Sequence, residues 1–163
     1  MAKVFEDYFS EALKDMVSIC VEYADYRAEK VFVYTVNEGG RMTCDFFFQF
    51  NGRIVSNTRI NDVLRPGEKP VDTSQNVHSQ VTFAILEDLE NIRDACKRFN
   101  REAPTELFIT YDATTRRFNT KVSYEGFYQN HPDAGPFDRI VEWMKKEAAK
   151  TGKEMVVLKG YLM

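Results

Sequence analysis

Histidine, cysteine and tryptophan are scarce in this chain, which has 2 His, 3 Cys and 1 Trp among 163 residues. A metal site needs clustered ligands, but His78 and His131 are far apart, and neither a Cys-x-x-Cys nor a His-Glu-x-x-His spacing occurs. A serine or cysteine nucleophile would need one of the same histidines as its base, and no Gly-x-Ser-x-Gly motif is present. The sequence therefore predicts no metal, no cofactor and no catalytic residues, which favours a protein that is not an enzyme.

Long apolar runs are also missing, since no stretch approaches the roughly 18 consecutive apolar residues of a membrane helix. Residues 1–10 are acidic rather than a basic region leading into an apolar core, so we expect no signal peptide. Cys20, Cys44 and Cys96 are odd in number and lie among apolar neighbours, which is typical of buried free thiols in a reducing compartment. We therefore expect a cytoplasmic protein without a membrane partner.

A strong excess of basic charge is absent as well. Lys and Arg total 22 against 25 Asp and Glu, giving a formal net charge of -3. Proteins that bind nucleic acid directly usually present a strongly basic face. The charge balance therefore argues against direct binding of nucleic acid.

Apolar residues recur at helical spacing in three segments of the chain. The first covers residues 3–25 and the second about 77–101, where Asp88 falls among the polar residues expected on the solvated side. A third helix is expected to begin at Pro136 and to end at Gly152. Its predicted inward residues are Phe137, Ile140, Val141, Met144 and Ala148.

Between the helices, β-branched and aromatic segments separated by turn residues indicate strands. Asn51-Gly52 is the clearest turn, since both residues tolerate the positive φ of a type I′ hairpin. Residues 61–75 contain two prolines and no apolar period, and are expected to form a loop. The predicted strands are residues 30–37, 42–50, 53–60, 106–112 and 117–125.

This order predicts one α+β domain over residues 1–163, with a single antiparallel sheet of about five strands packed against helices in the order α-βββ-α-ββ-α. Residues 154–163 are apolar and fit either a C-terminal edge strand or a tail packed across the core. The sequence leaves these two alternatives open.

Alternation along the strands predicts a sheet face that points away from the helices. It would carry Phe47, Val55 and Phe108 among polar and acidic residues. Aromatic anchors inside a polar rim are typical of protein-binding surfaces, although an ordinary solvated sheet face looks similar. The candidate partner-binding residues are Asp45, Phe47, Asp112 and Glu125, with Asp133 in the loop before the third helix.

Four local strings resemble the YezG family of immunity proteins, and the resemblance covers roughly residues 5–128. They are FEDYFSEALKDMV in the first helix, KVFVYTVN with the Phe-rich FFFQF, VTFAILEDLENIRDACKRF in the second helix, and the hairpin ELFITYDATTRRFNTKVSYE. In that family, too, a short hydrophobic strand, a polar turn and a strand ending in an aromatic-acidic pair recur.

The resemblance implies a cytoplasmic, non-enzymatic antitoxin that binds a cognate bacterial toxin, often a nuclease, and neutralises it. Acidic groups of such an inhibitor would pair with the basic residues by which the toxin binds nucleic acid. Two alternatives stay open. One is an oligomeric structural or adaptor domain, such as a homodimer, whose apolar tail docks on a neighbouring subunit. The other is a small-molecule-binding domain with a pocket between sheet and helices, using Tyr111, Tyr124 or His131.

Overall fold

The computed structural model describes residues 2–135 and 137–157. Its helices are α1 (Phe5–Tyr23), α2 (Gln75–Arg98), the single-turn α3 (Phe127–Asn130) and α4 (Asp138–Thr151), with a 3₁₀ helix at Asn57–Val63. Its strands are β1 (Lys30–Glu38), β2 (Arg41–Phe50), β3 (Arg53–Ser56), β4 (Glu106–Asp112) and β5 (Arg117–Ser123). The predicted start of the third helix at Pro136 and the tail beyond residue 157 lie outside the described residues.

The strands form one antiparallel sheet in the order β3-β2-β1-β4-β5, which confirms the predicted α+β class. Asn51 and Gly52 have φ values of 50° and 77°, as the predicted turn between β2 and β3 requires. The order places β1 in the centre, between the two hairpin-connected pairs. Every residue of β1 from Val31 to Val36 is accordingly buried.

Two long helices cover one face of the sheet. The buried stripes of α1 and α2 pack with alternate residues of the strands, including Val31 and Val33 of β1 and Phe46 and Phe48 of β2. Tyr23 near the end of α1 stacks on Phe48 with ring centroids 5.9 Å apart. The helical periods in the sequence predict this layer, because they mark both helices as amphipathic.

A third layer covers the other face of the sheet, which the strand alternation predicts to point away from the helices. Helix α4 buries its apolar side against a second cluster that the remaining strand residues supply. Trp143 of α4 packs edge to face with Phe47 and Phe108, with ring centroids 5.2 Å apart in each case. The residues of this cluster with the lowest exposure are Phe32, Tyr34, Val36, Phe47, Ile54, Ile140 and Met144. The expectation of a solvated outer face is therefore wrong over β1 to β3.

A buried polar network joins α4 to the sheet. The carboxylate of Glu106, 1% exposed, accepts hydrogen bonds from Nε and Nη2 of Arg139 at 3.0 and 2.9 Å. Tyr34 donates its hydroxyl hydrogen to the same carboxylate, and its oxygen lies 3.0 Å from the hydroxyl of Tyr128. Burial, followed by these hydrogen bonds, raises the pKa of Tyr34, while the bond to Glu106 raises the pKa of Arg139. Each polar side chain of this network thereby has a hydrogen-bond partner, which removes most of the free-energy cost of burying it.

Strand β3 is shorter than predicted, and its faces are reversed. It ends at Ser56, and residues 57–63 form the 3₁₀ helix, whose buried residues Asn57, Ile60 and Val63 lie three apart. The register pairs Val55 with Phe48, which places Val55 on the α1–α2 face instead of the opposite one.

The described part of the C-terminal segment packs on its own chain. Val156 forms a parallel bridge with Val55, donating to the Ile54 carbonyl and accepting from the Ser56 amide at 2.9 Å each. Met155 and Val157 contact the α4 cluster. No helix within residues 2–135 and 137–157 has the length and apolarity needed to cross a membrane.

The α4 layer makes Phe47 a core residue, with 1% of its surface exposed. We expect Phe47→Ala to lower the free energy of unfolding by about 3–5 kcal/mol, because it removes a buried ring and leaves a cavity. Urea unfolding followed by circular dichroism measures this change. The matched control is Phe83→Ala, since Phe83 is 73% exposed, and its effect should stay within about 0.5 kcal/mol. Equal small effects of both substitutions would contradict the covering of this face by α4.

Candidate functional site

A groove of about 590 Å³ runs between the outer surfaces of α1 and α2, and we call it the acidic groove. Residues three or four apart share one face of a helix, so each helix contributes a single stripe of side chains. The lining residues are Tyr8, Glu11, Ala12 and Asp15 of α1, with Asp88, Asn91, Asp94, Ala95 and Arg98 of α2. Four of these nine are carboxylates and one is a cation.

Arg98, the cation among the lining residues of the acidic groove, contacts Tyr8 at one end of the groove. Arg98 donates from Nη1 to the Tyr8 hydroxyl at 3.0 Å, and its guanidinium lies 5.3 Å from the centre of the Tyr8 ring. Glu11 forms an exposed ion pair with Lys3 at 3.0 Å. Asp94 forms a long, exposed ion pair with Arg93 at 3.9 Å, and Asp15 and Asp88 are the other carboxyl groups along the groove.

Asp88 is the unusual residue of the acidic groove. It is 7% exposed, and its Oδ2 atom is buried without a donor from the described residues. Its polar neighbour there is the carboxyl group of Asp15, which can share a hydrogen bond with it only when one of the two carries a proton. An unpaired buried carboxylate is unfavourable, so the site favours uptake of a proton.

Burial is the largest cause that raises the pKa of Asp88, from 3.8 to about 8. The hydrogen bond with Asp15 and the negative charges of Asp15 and Glu87 act in the same direction. Burial and these neighbours therefore favour the protonated form of the Asp88 carboxyl group. A guanidinium or ammonium group that entered the acidic groove would replace this proton and supply Asp88 with the donor it lacks.

Metal binding has no comparable support. Within the part of the chain that the structure describes, no cluster of three His, Cys, Asp or Glu side chains is placed to hold a metal ion. The cysteines are separate free thiols, and burial followed by the charge of Asp45 raises the pKa of Cys44 to about 12. Such a thiol is a poor nucleophile at neutral pH.

The structure places two of the predicted partner-binding residues in structural roles on β2. Phe47 is buried and stacks on Phe32 with ring centroids 4.4 Å apart, so its predicted exposure to a partner is wrong. Asp45 is half-buried, and its Oδ1 accepts hydrogen bonds from the Phe46 amide at 2.8 Å and from Nδ2 of Asn57 at 3.0 Å. Both residues support the fold of this strand.

The other three predicted residues lie apart from one another, Asp112 at the end of β4 and the other two outside the strands and helices. Oδ1 of Asp112 accepts the amides of Thr114 and Thr115 at 2.9 and 3.2 Å, which fixes the β4–β5 turn. Glu125 follows the far end of β5, so it and Asp112 lie at opposite ends of the hairpin. Asp133 is exposed in the loop between α3 and α4. The five residues therefore do not form one open surface, although Glu125 and Asp133 are accessible.

Sequence reasoning missed Asp88 because it assigned charged residues of α2 to the solvated side. A signal was present, since Asp88 lies three residues after Ile85 and seven after Val81, both of which are buried. This spacing places it at the margin of the inward stripe. The pairing with Asp15 depends on how α1 and α2 pack together, which no local pattern shows.

Comparisons with known proteins do not identify a family. The chain matches no protein-family model, and no curated protein matches it.

The raised pKa of Asp88 predicts a pH-dependent stability. The folded protein keeps this proton up to about pH 8, whereas the unfolded chain loses it near pH 3.8. The folded state thus binds more protons between these values, and the stability that Asp88 provides is lost as the pH rises through this window. Asp88→Asn should raise the free energy of unfolding at pH 8 by about 1–3 kcal/mol and have little effect at pH 4. Urea unfolding at a series of pH values measures the difference.

The matched control is Asp94→Asn, which removes an exposed carboxylate from the same groove. Its effect on stability should vary little with pH over this window. The same pH profile for both variants would show that Asp88 is not the group that titrates.

Proposed function

We propose that the protein is an immunity protein, or antitoxin, which neutralises a cognate bacterial toxin by binding it through the acidic groove. The observation that carries the proposal is the buried Oδ2 atom of Asp88, which receives no hydrogen bond from residues 2–135 and 137–157 and lies against this groove. An arginine or lysine side chain of the toxin would supply the donor. Inhibition would follow from occupation of the toxin's surface, with no reaction catalysed by the antitoxin.

The energetics of Asp88 favour such a contact. The Asp88 carboxyl group is already withdrawn from water in the folded protein, so an entering cation has to displace its proton but not a full hydration shell. The charge-assisted hydrogen bonds to an entering cation would be formed in a partly desolvated cleft, where they are stronger than at an open surface. Side chains anchored on two helices also lose little conformational entropy on binding.

The charge of the acidic groove specifies the class of partner. Even with Asp88 protonated, more carboxylates than cations line the acidic groove, with Asp15 and Asp94 along its length, so it attracts a basic surface and speeds its association. A toxin that acts on nucleic acid carries such a surface, because it must bind phosphates. The resemblance of residues 5–128 to YezG-type immunity proteins supports a toxin as that partner.

The alternative of an oligomeric structural or adaptor domain, whose apolar tail docks on a neighbouring subunit, has less support. Residues 154–157 hydrogen-bond with β3 and contact the α4 cluster of their own chain. Docking of residues 154–157 on a neighbouring subunit would first have to break these contacts.

The test is co-expression of the tagged protein with the product of the adjacent open reading frame, followed by a pull-down, an affinity measurement and an assay of toxicity. Asp15→Lys and Asp94→Lys should each weaken binding by about tenfold or more, because each places a cation opposite the partner's basic surface. Both positions are exposed, so the fold should persist, which circular dichroism verifies.

Glu125→Lys is the matched control, since it makes the same charge change at an exposed position far from the acidic groove. It is preferable to Asp112→Lys, which would also disrupt the β4–β5 turn. Full affinity in both groove variants, with a loss in Glu125→Lys, would move the contact to the predicted hairpin surface. The absence of any partner whose toxicity this protein abolishes would overturn the proposed function.

A further inference from the structure

A second groove lies on the opposite side of the sheet, where α4 leaves β4 and β5 uncovered. Its floor is formed by Phe108 and Thr110 of β4 with Asn119 and Lys121 of β5, which the register pairs on the same face. Its wall is the side of α4 that carries Trp143. The volume is about 590 Å³, within the range of sites for small molecules. We call it the cationic groove.

An aromatic surface lines the cationic groove. Trp143 is partly exposed, and its ring is fixed by edge-to-face contacts with Phe32, Phe47 and Phe108 at centroid distances of 5.2–5.5 Å. Phe108 is itself partly exposed in the groove. A planar ligand therefore meets rigid aromatic side chains, which lose little entropy when it binds.

The charge of this groove is opposite to that of the acidic groove. Its cations are Lys30, Lys121, Arg139, Lys146 and Lys150, against the carboxylates of Glu142 and Glu147. Both carboxylates are already paired, Glu147 with Lys150 at 2.8 Å and Glu142 with Lys146 at 3.7 Å.

The other cations of the cationic groove differ in whether a carboxylate already pairs with them. Arg139 is held by the buried carboxylate of Glu106 and stacks over Phe127 at 4.0 Å. Lys30 and Lys121 take part in none of the ion pairs between the described residues, and the ammonium of Lys121 lies 5.7 Å from the Phe108 ring centre. The groove thus holds two lysines that form no ion pair with a described residue, beside an aromatic surface.

From this combination we propose that the cationic groove binds a nucleoside phosphate. The base packs against Trp143, the phosphates contact Lys30 and Lys121, and the polar side chains of Thr110 and Asn119 hydrogen-bond with the ligand. An aromatic ring without charge would leave the two lysines unused, and inorganic phosphate would leave the aromatic surface unused. The site is separate from the acidic groove, so the inference does not depend on the proposed function.

Trp143 is the only tryptophan of the chain and lines this groove, so all of the protein's tryptophan fluorescence comes from a residue that a bound ligand would contact. The full-length protein is titrated with ADP, GDP and UDP, and the emission is corrected for absorption with free N-acetyltryptophanamide. We expect saturable quenching by at least one of the three. Adenosine alone and inorganic phosphate alone should bind at least about tenfold more weakly than ADP if ADP is the ligand, because each makes only part of the contacts.

Lys121→Gln should weaken the nucleotide by about tenfold, since it removes one phosphate contact from an exposed position. The matched control is Lys97→Gln, an exposed lysine on α2 that lies outside this groove, and it should bind as the wild type does. Melting curves of both variants verify that they fold.

Two results would overturn the inference. One is the absence of saturable quenching by all three nucleotides; if a short single-stranded oligonucleotide then quenches, the groove is a nucleic-acid surface instead. The other is unchanged affinity in Lys121→Gln.

Discussion

The structure depends on a central strand that is apolar on both faces. Val31 and Val33 of β1 face the α1–α2 layer, whereas Phe32 and Tyr34 face α4. An antiparallel sheet with one apolar face needs a single helical layer, but this pattern requires cover on both sides. Helix α4 provides the second cover, and the Glu106–Arg139 ion pair orients it against the sheet.

The two grooves follow from this three-layer arrangement. The acidic groove forms because α1 and α2 are packed side by side on one face of the sheet and present short acidic residues along their junction. The cationic groove forms because a single helix on the other face leaves β4 and β5 uncovered. The small net charge of -3 therefore conceals two surfaces of opposite sign. A charge count over the whole chain says little about either of them.

Local patterns were sufficient to predict most of the elements. The helical periods of α1 and α2 and the Asn51-Gly52 turn depend on neighbouring residues only, and the structure confirms them. The end of β3 was not predictable in this way, because Ile54 to Ile60 fits strand alternation while Asn57, Ile60 and Val63 fit the three-residue period of the observed 3₁₀ helix.

The candidate site was less accessible to sequence reasoning. Amphipathicity shows which side of α4 is apolar, but it does not show which face of the sheet that side covers. This is why Phe47 was predicted as a contact for a partner although it is buried. Asp15 and Asp88 are 73 positions apart in sequence, and only the packing of α1 on α2 brings their carboxyl groups together. A long-range pair of this kind leaves no local pattern.

The most direct test of the central claim is to count the protons released when the complex with the toxin forms. Isothermal titration calorimetry at pH 7, in buffers of different ionisation enthalpy, gives this number. If a basic side chain of the partner replaces the proton held by Asp88, whose pKa is about 8, the wild-type protein should release about one proton and Asp88→Asn should release none. Equal proton release by the two proteins, or none by the wild type, would contradict the assignment of the acidic groove as the binding site.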